Sequence, residues 1–116
     1  MLRVKIAICL LFLLIGLSAC FDSTPKSFSI AESKDYEASL FRQNCAICHG
    51  SEGDGKTLDD GTIVPSLRTG EFKFKTEPEI QKQISEGGNG MTPFRTQLTD
   101  REIRLLTDLV HNKLRK

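Results

Sequence analysis

Two cysteines and one histidine lie within five consecutive residues near the middle of the chain. Cys45, Cys48 and His49 form a C-x-x-C-H motif, which is the attachment signature of c-type haem. Thiols three residues apart at the end of a helix can each bond to one vinyl group of the same porphyrin, and the adjacent imidazole then lies under the iron. The motif predicts one covalently bound haem c, with His49 as an iron ligand.

A C-x-x-C spacing also occurs in redox-active thiol pairs and in zinc sites. A thioredoxin-like pair needs a βαβ setting around the motif, which the flanking sequence does not show. Zinc needs two further nitrogen or sulfur ligands, and beyond the motif and the N-terminal apolar stretch the sequence offers only His111. A disulfide between Cys45 and Cys48 is a third alternative in an oxidising compartment. The histidine directly after Cys48 favours haem.

Met91 is the second candidate ligand. The chain has two methionines, Met1 and Met91, and Met91 lies in a glycine-rich loop between Gly90 and Pro93, outside any amphipathic stripe. A thioether in such a loop is a poor core residue and a suitable soft ligand for iron. The alternative is a methionine with a plain packing role.

Helices are predicted to position both groups. Apolar periodicity and capping residues indicate three of them, over residues 35–44, between Thr76 and Gly87, and over residues 98–114. Capping boxes, in which a glutamate follows a threonine by three residues, open the second and third helices at Thr76 and Thr99. Residues 50–67 are predicted to be loop, and the one doubtful strand signal is at residues 72–74. The predicted fold class is all-α.

The first twenty residues are predicted to direct export. Two positive charges precede an uninterrupted apolar run over residues 6–17, a length typical of a secretory signal and short of the roughly 20 residues of a spanning helix. The run ends in Leu17-Ser18-Ala19-Cys20, which resembles the bacterial lipobox. That resemblance implies cleavage before Cys20 and lipidation of this cysteine. An ordinary signal peptidase site and an uncleaved anchor helix are the alternatives.

The predicted organisation has three parts. Residues 1–19 are a lipoprotein signal peptide, residues 20–34 are the lipidated Cys20 with a flexible tether rich in serine, and residues 35–116 are one domain. The domain is then expected on the periplasmic or cell-surface side of the membrane, anchored by Cys20.

Charge and composition narrow the partners and favour a cofactor. Removal of residues 1–19 takes away two basic and no acidic residues, so 14 basic and 15 acidic residues remain. A nucleic-acid partner is not expected at that balance. The chain has seven Phe, one Tyr and no Trp, and a buried apolar cofactor would supplement so few large side chains in the core.

The sequence from Asp35 to Lys113 resembles class I single-haem cytochromes c. The matching features, in chain order, are Leu40-Phe41, His49-Gly50 with Gly53 and Gly55, Pro65-Ser66-Leu67, Gly88-x-Gly90-Met91 and the helix start Leu98-Thr99-Asp100-x-Glu102-Ile103. The resemblance implies the cytochrome c fold, with three to four short helices wrapped around one haem. It also implies His49 and Met91 as the two iron ligands, and the backbone carbonyl of Pro65 as hydrogen-bond acceptor for the His49 ring.

The resemblance further implies a function. A monomeric single-electron carrier is expected, with no enzymatic activity, exchanging electrons with a donor and an acceptor redox protein of a respiratory chain. A thioether ligand and burial of the haem both raise the reduction potential. One alternative is an open-iron sensor or peroxidase-like domain, which needs an empty sixth position. Another is a fixed haem subunit of a membrane oxidoreductase complex.

Some positions depart from the family pattern. Glu37 and Leu109 replace a common glycine and aromatic at the crossing of the terminal helices, so we expect packing through Ala38, Phe41 and Leu109. Thr92 replaces a common proline after the methionine, which predicts a less rigid Met91 loop.

Several cationic side chains are candidates for binding roles. Two could contact the haem propionates, Arg68 and Arg95. Four could steer a negatively charged partner, Lys56, Lys73, Lys75 and Lys82.

Overall fold

The computed structural model describes residues 1–2, 4–6 and 26–115. Its elements are α1 (Tyr36–Asn44), α2 (Ala46–His49), β1 (Lys56–Thr57), β2 (Ile63–Val64), α3 (Glu77–Glu86), α4 (Asp100–Asp108) and a terminal π-helical segment (Leu109–Leu114). The three predicted helices are therefore present. Most of the predicted signal peptide, Cys20 and residues 21–25 lie outside the described residues. Within the described ranges, no helix is both long enough and apolar enough to cross a bilayer.

Capping side chains begin the two best-marked helices. At α4, the Glu102 carboxylate accepts a hydrogen bond of 2.8 Å from the Thr99 backbone N–H, and the Thr99 hydroxyl accepts one of 3.3 Å from the Glu102 N–H. At α3, the Glu79 carboxylate accepts from the Thr76 N–H at 2.9 Å. These bonds satisfy backbone groups that a helix start leaves unpaired, which explains why both helices begin where the sequence predicts.

One apolar cluster forms the core. Helix α4 packs against both α1 and α3, and the buried apolar side chains are Ile30, Ala38, Leu40, Phe41, Ile80, Ile84, Ile103, Leu106, Leu109, Val110 and Leu114. Ala38, Phe41 and Leu109 are all buried here, as the sequence analysis expects for the terminal helices. Glu37 is accommodated at the same crossing because its carboxylate accepts a hydrogen bond from Lys113 Nζ.

A small sheet interrupts the segment predicted to be loop. Strands β1 and β2 pair antiparallel, with Lys56 opposite Val64 and Thr57 opposite Ile63. The Leu58 N–H donates to the Thr62 carbonyl at 2.8 Å across the tip. Residues 72–74 form no strand. The all-α prediction is therefore right for the helices and wrong in omitting this two-stranded sheet, because two-residue strands are too short to show an alternating pattern.

The end of the predicted tether lies on the domain. Ile30 is fully buried, and the Arg42 side chain donates hydrogen bonds to the carbonyls of Ile30 and Ser33. We call residues 28–33 the strap. Phe28 and Ile30 stand among serines with no helical periodicity, which is why the sequence predicts a tether here instead of part of the core.

Candidate cofactor site

A single helical turn brings the C-x-x-C-H residues together. The Cys45 N–H closes α1 by donating to the Phe41 carbonyl at 2.8 Å, while the Cys45 carbonyl accepts from Cys48 at 3.1 Å and from His49 at 2.9 Å. Both thiols are free, and Cys45 is partly buried whereas Cys48 is exposed. The three side chains of the motif therefore lie on one helical turn directly after α1.

Burial keeps two of these groups neutral. Desolvation, with a smaller contribution from neighbouring Cys48, raises the pKa of the Cys45 thiol to about 12. Desolvation also lowers the pKa of His49. A neutral imidazole retains the nitrogen lone pair that binds a metal, so the His49 environment suits a ligand.

One nitrogen of the His49 ring is buried without a hydrogen bond. Its Nδ1 is buried and has no hydrogen-bond partner among the described residues. Such groups are uncommon in folded proteins and often mark a place where a metal or redox group acts. The orphaned nitrogen therefore fits a ring whose orientation is completed when haem is bound.

Pro65 lies close to the His49 loop without bonding to the ring. The Gly55 N–H donates to the His49 carbonyl at 2.9 Å. A Cβ on Gly55 would lie 2.4 Å from the Val64 carbonyl oxygen and 2.8 Å from the Pro65 carbonyl carbon. The backbone at Pro65 is thus pressed against the loop that follows His49. The hydrogen bond from His49 to the Pro65 carbonyl stays a prediction.

A two-residue turn presents Met91. The Gly88 N–H donates to the Met91 carbonyl at 2.9 Å, and the Met91 N–H donates back at 3.0 Å. Between them Asn89 and Gly90 have φ angles of 53° and 84°, as in the Asn-Gly turns that join paired strands. The predicted loop is therefore a closed hairpin turn with Met91 at its exit.

Helix α3 anchors the chain on the far side of Met91. The Phe94 N–H donates to the Ile84 carbonyl at 3.0 Å, and the Arg95 N–H donates to the Ser85 carbonyl at 3.2 Å. These acceptors are among the carbonyls that the end of a helix leaves unpaired. Thr92 instead of proline predicts a less rigid loop. The Met91 segment is nevertheless constrained on one side by the Gly88–Met91 bonds and on the other by the bonds of Phe94 and Arg95 to α3.

Gln83 is a residue of this site that the sequence analysis did not identify. Its side-chain amide donates to the Gly88 carbonyl at 2.8 Å and lies 3.7 Å from Met91 Sδ. A glutamine on an amphipathic helix is usually interpreted as a solvated side chain, so no sequence signal marks this role.

Several partly buried apolar side chains pack against the core. They are Phe28, Cys45, Ala46, Leu67, Phe74, Met91, Phe94 and Leu98. Cys45 and Met91 thus pack against the same apolar cluster although α1 and α3 position them separately. Side chains left half-covered in this way can contact a large apolar cofactor.

The cationic candidates divide into engaged and exposed residues. Arg68 is buried, with Nη2 3.0 Å from the Glu52 carboxylate, so its proposed role with a haem propionate is not supported by the structure. Lys73 Nζ donates to Asn89 Oδ1 at 2.8 Å, beside the Met91 turn. Arg95 and the other three lysines are exposed, and their roles stay predictions.

The alternatives to haem gain no support from the geometry. Cys45 lies between two helices, outside any βαβ unit. In the part of the chain that the structure describes, no three or more His, Cys, Asp or Glu side chains cluster as a metal site, which is what the zinc alternative needs.

Comparisons of the sequence with known proteins find one matching family and two related proteins. A family model described as cytochrome c oxidase, cbb3-type, subunit III, matches residues 35–110. Cytochrome c-550 of Bacillus subtilis is 39% identical over 64 residues, which are 53% of this chain and 48% of that protein. Thiosulfate dehydrogenase of Psychrobacter arcticus is 28% identical over 68 residues, 57% of this chain and 21% of that protein.

A solved structure agrees with these matches. The c-type cytochrome KustC0563 superposes with a TM-score of 0.57 at 32% identity, covering 67% of this chain and 95% of that one. The chain therefore corresponds to nearly all of this solved protein, whereas its alignments span about half or less of the two curated relatives.

Proposed function

Because the chain belongs to the c-type cytochromes, in the family of cbb3-type cytochrome c oxidase subunit III, we propose that it is a single-electron carrier. Membership implies a covalently bound haem c. The proposal assigns one haem to the chain, attached through Cys45 and Cys48, with His49 and Met91 as iron ligands. The supporting observation is the C-x-x-C-H turn, with its orphaned His49 nitrogen, inside the family-matched region.

Each residue has a distinct task in this proposal. The Cys45 and Cys48 thiols form the thioether bonds, and His49 offers a neutral nitrogen to the iron. When bound, haem supplies an iron that gains one electron from a donor protein and passes it to an acceptor. Met91 offers a sulfur, which raises the reduction potential relative to a second imidazole. The Pro65 carbonyl is proposed to accept a hydrogen bond from the His49 Nδ1–H, which would fix the ring.

The proposed location is the outer side of a membrane. C-type cytochromes are typically extracytoplasmic, and the lipobox-like sequence before Cys20 supports export with lipid attachment. More than one acyl chain gives stable anchoring where a single chain gives marginal binding. Mass spectrometry of the mature N-terminus would test this: acylated Cys20 supports the anchor, and an unmodified or uncleaved N-terminus contradicts it.

A second candidate function has the same electron-transfer chemistry but makes the chain a subunit of a larger complex. The family description names an oxidase subunit, which is the observation that supports a fixed haem subunit of a membrane complex as the alternative to a free carrier. A haem protein that stays with larger partners through mild-detergent purification would support the fixed subunit. One that elutes alone and exchanges electrons with soluble partners would support the carrier.

An enzymatic role is a weaker alternative. The match to thiosulfate dehydrogenase covers only 21% of that protein, so it carries little weight for the activity of this chain. Met91 also argues against open iron, since an occupied sixth position leaves no site for a substrate. We therefore propose electron transfer without substrate chemistry.

Optical spectra of the exported protein test the iron ligands. We expect a pyridine haemochrome of one covalently retained haem c, sharp low-spin reduced bands and a weak near-infrared band from the iron–thioether bond. Met91→Ala should lose the near-infrared band and keep the haem. Thr92→Ala, which changes the exposed neighbouring side chain, is the control and should retain it. A high-spin wild type that binds carbon monoxide readily would overturn His/Met ligation and favour the sensor or peroxidase-like alternative.

A further inference from the structure

Gln83 lies where α3 faces the Met91 turn. Its neighbours Ile80 and Ile84 are buried in the core, whereas Gln83 itself is half-buried at the edge of that face. The Gln83 carbonyl accepts the Gly87 N–H at 2.8 Å and so closes the helix. The backbone of Gln83 therefore belongs to the end of the helix, and its side chain is free to act on the loop that follows.

The amide of Gln83 has two N–H groups and two acceptors. One acceptor is the Gly88 carbonyl at 2.8 Å, and the other is Met91 Sδ at 3.7 Å. The first is a strong hydrogen bond by distance, and it holds the amide nitrogen beside the sulfur. Gly88 in turn exchanges two backbone hydrogen bonds with Met91. The Gln83 amide therefore contacts both residues that close the turn.

We propose that Gln83 is a positioning residue for the Met91 thioether, and that its N–H donates to this sulfur when the sulfur binds iron. The inference rests on the proposed function, because it assumes that Met91 is an iron ligand. A thioether has two lone pairs. One can bind the iron while the other accepts the weak hydrogen bond from Gln83, so the two contacts are compatible.

Two consequences follow for the bound iron. A hydrogen bond to the sulfur withdraws electron density and makes it a weaker donor to ferric iron, which raises the reduction potential. The same bond, with the one to Gly88, also stabilises the arrangement in which Met91 stays at the iron. Exogenous ligands must displace Met91, so their apparent affinity falls as this arrangement becomes more stable.

Gln81 supplies a matched control on the same helix. It is also half-buried, lies two residues before Gln83, and therefore projects from a different side of α3. No hydrogen bond from its side chain occurs within the described residues. Gln81→Leu and Gln81→Glu thus make the same chemical changes in the same helix, away from the sulfur.

The test uses the haem-loaded protein with Gln83→Leu, Gln83→Glu and the two Gln81 controls. Gln83→Leu removes both hydrogen bonds, and we expect a lower midpoint potential and an imidazole affinity of the ferric protein raised by at least about tenfold, since the loss of one hydrogen bond alone has an effect of that order. Gln83→Glu keeps the shape without the donors and adds a negative charge, so its potential should fall further. The near-infrared thioether band should weaken in both.

The possible results separate this inference from the proposed function. A wild type without the thioether band would refute Met91 ligation itself. A wild type with the band, together with Gln83→Leu whose potential and imidazole affinity equal those of Gln81→Leu, would refute the role of Gln83. A Gln83 variant with lower unfolding stability but unchanged potential and band would show a structural role only, and would equally overturn the proposal.

Discussion

At the residue scale, Gly87 shows how a missing side chain permits the loop that contains Met91 to approach helix α3. A Cβ at this position would lie 2.5 Å from the Met91 carbonyl oxygen and 2.7 Å from the Pro93 nitrogen. Both neighbours are backbone atoms, which cannot rotate away as a flexible side chain can. The φ angle of 70° also favours glycine. Gly87 therefore sets how closely the Met91 segment packs against α3.

Gly87→Ala should accordingly weaken both stability and ligation. We expect a loss of about 3 kcal/mol in the free energy of unfolding, from a strained backbone and a steric clash, and a weaker thioether band. Gly70→Ala is the matched control, because Gly70 also has positive φ but open space around it, and should lose about 1 kcal/mol. Denaturant unfolding of the haem-loaded variants measures both. Equal losses at the two positions would contradict the close-packing argument.

The crossing of α1 with the terminal π-helical segment illustrates the element scale. Glu37 replaces the small residue that commonly lies at this crossing, and only 14% of its side chain is exposed. Lys113 supplies the opposite charge, and its hydrogen bond to Glu37 is the main cause of a raised pKa of the lysine. Lys113 Nζ also lies over the Phe28 ring, 5.2 Å from its centroid. The two helices are thus joined by an ion pair, and Ala38 and Leu109 from the same helices are both fully buried in the apolar core.

A double-mutant cycle of Glu37→Gln and Lys113→Met should measure this pair. We expect a coupling free energy of about 1–2 kcal/mol, because the carboxylate is largely shielded from water and loses the charge of Lys113 in the single lysine variant. The matched exposed pair is Lys82 with Glu86 on α3, 3.9 Å apart, and it should couple by less than about 0.5 kcal/mol. Unfolding in denaturant at low salt gives both values. Similar coupling in the two pairs would mean that burial of Glu37 is unimportant.

At the scale of the whole molecule, the strap joins the N-terminal part of the chain to the loop after His49. The Glu52 carboxylate accepts from the Ile30 and Ala31 amides at 2.8 Å each. Burial alone would raise the pKa of Glu52, but the bonds from Ala31 and Ile30, the Ser29 hydroxyl and the charge of Arg68 outweigh it and lower the pKa. The folded unit therefore begins before the predicted boundary at residue 35.

Truncation tests where the folded unit begins. A haem-loaded domain starting at residue 28 should match the stability of one starting at residue 21. A domain starting at residue 35 should lose about 3 kcal/mol, because it removes the fully buried Ile30 and leaves Glu52 and Arg42 without their strap contacts. Thermal or denaturant unfolding of the three proteins makes the comparison. Equal stability of the domains starting at residues 28 and 35 would support the shorter domain and a free tether up to residue 34.

Much of the fold and part of the site follow from local patterns. The helices around the core are predictable because their apolar spacing and capping threonines act within a few residues. The two thiols and the imidazole are predictable for the same reason, since Cys45, Cys48 and His49 occupy one helical turn. Strands of two residues and the strap, with Phe28 and Ile30 among serines, carry no comparable helical signal. Sequence reasoning therefore placed the sheet in a loop and the strap in a tether.

The sequence by itself determined the attachment motif, the candidate ligands and the helices that carry them, because each depends on neighbours along the chain. Tertiary structure decided which groups from distant parts of the chain contact one another. Gln83 reaches Met91 from eight residues away, Arg68 engages Glu52 across 16, and Glu52 holds Ile30 across 22. Such contacts depend on how the helices pack and where the chain returns, and short-range residue patterns do not encode these partners.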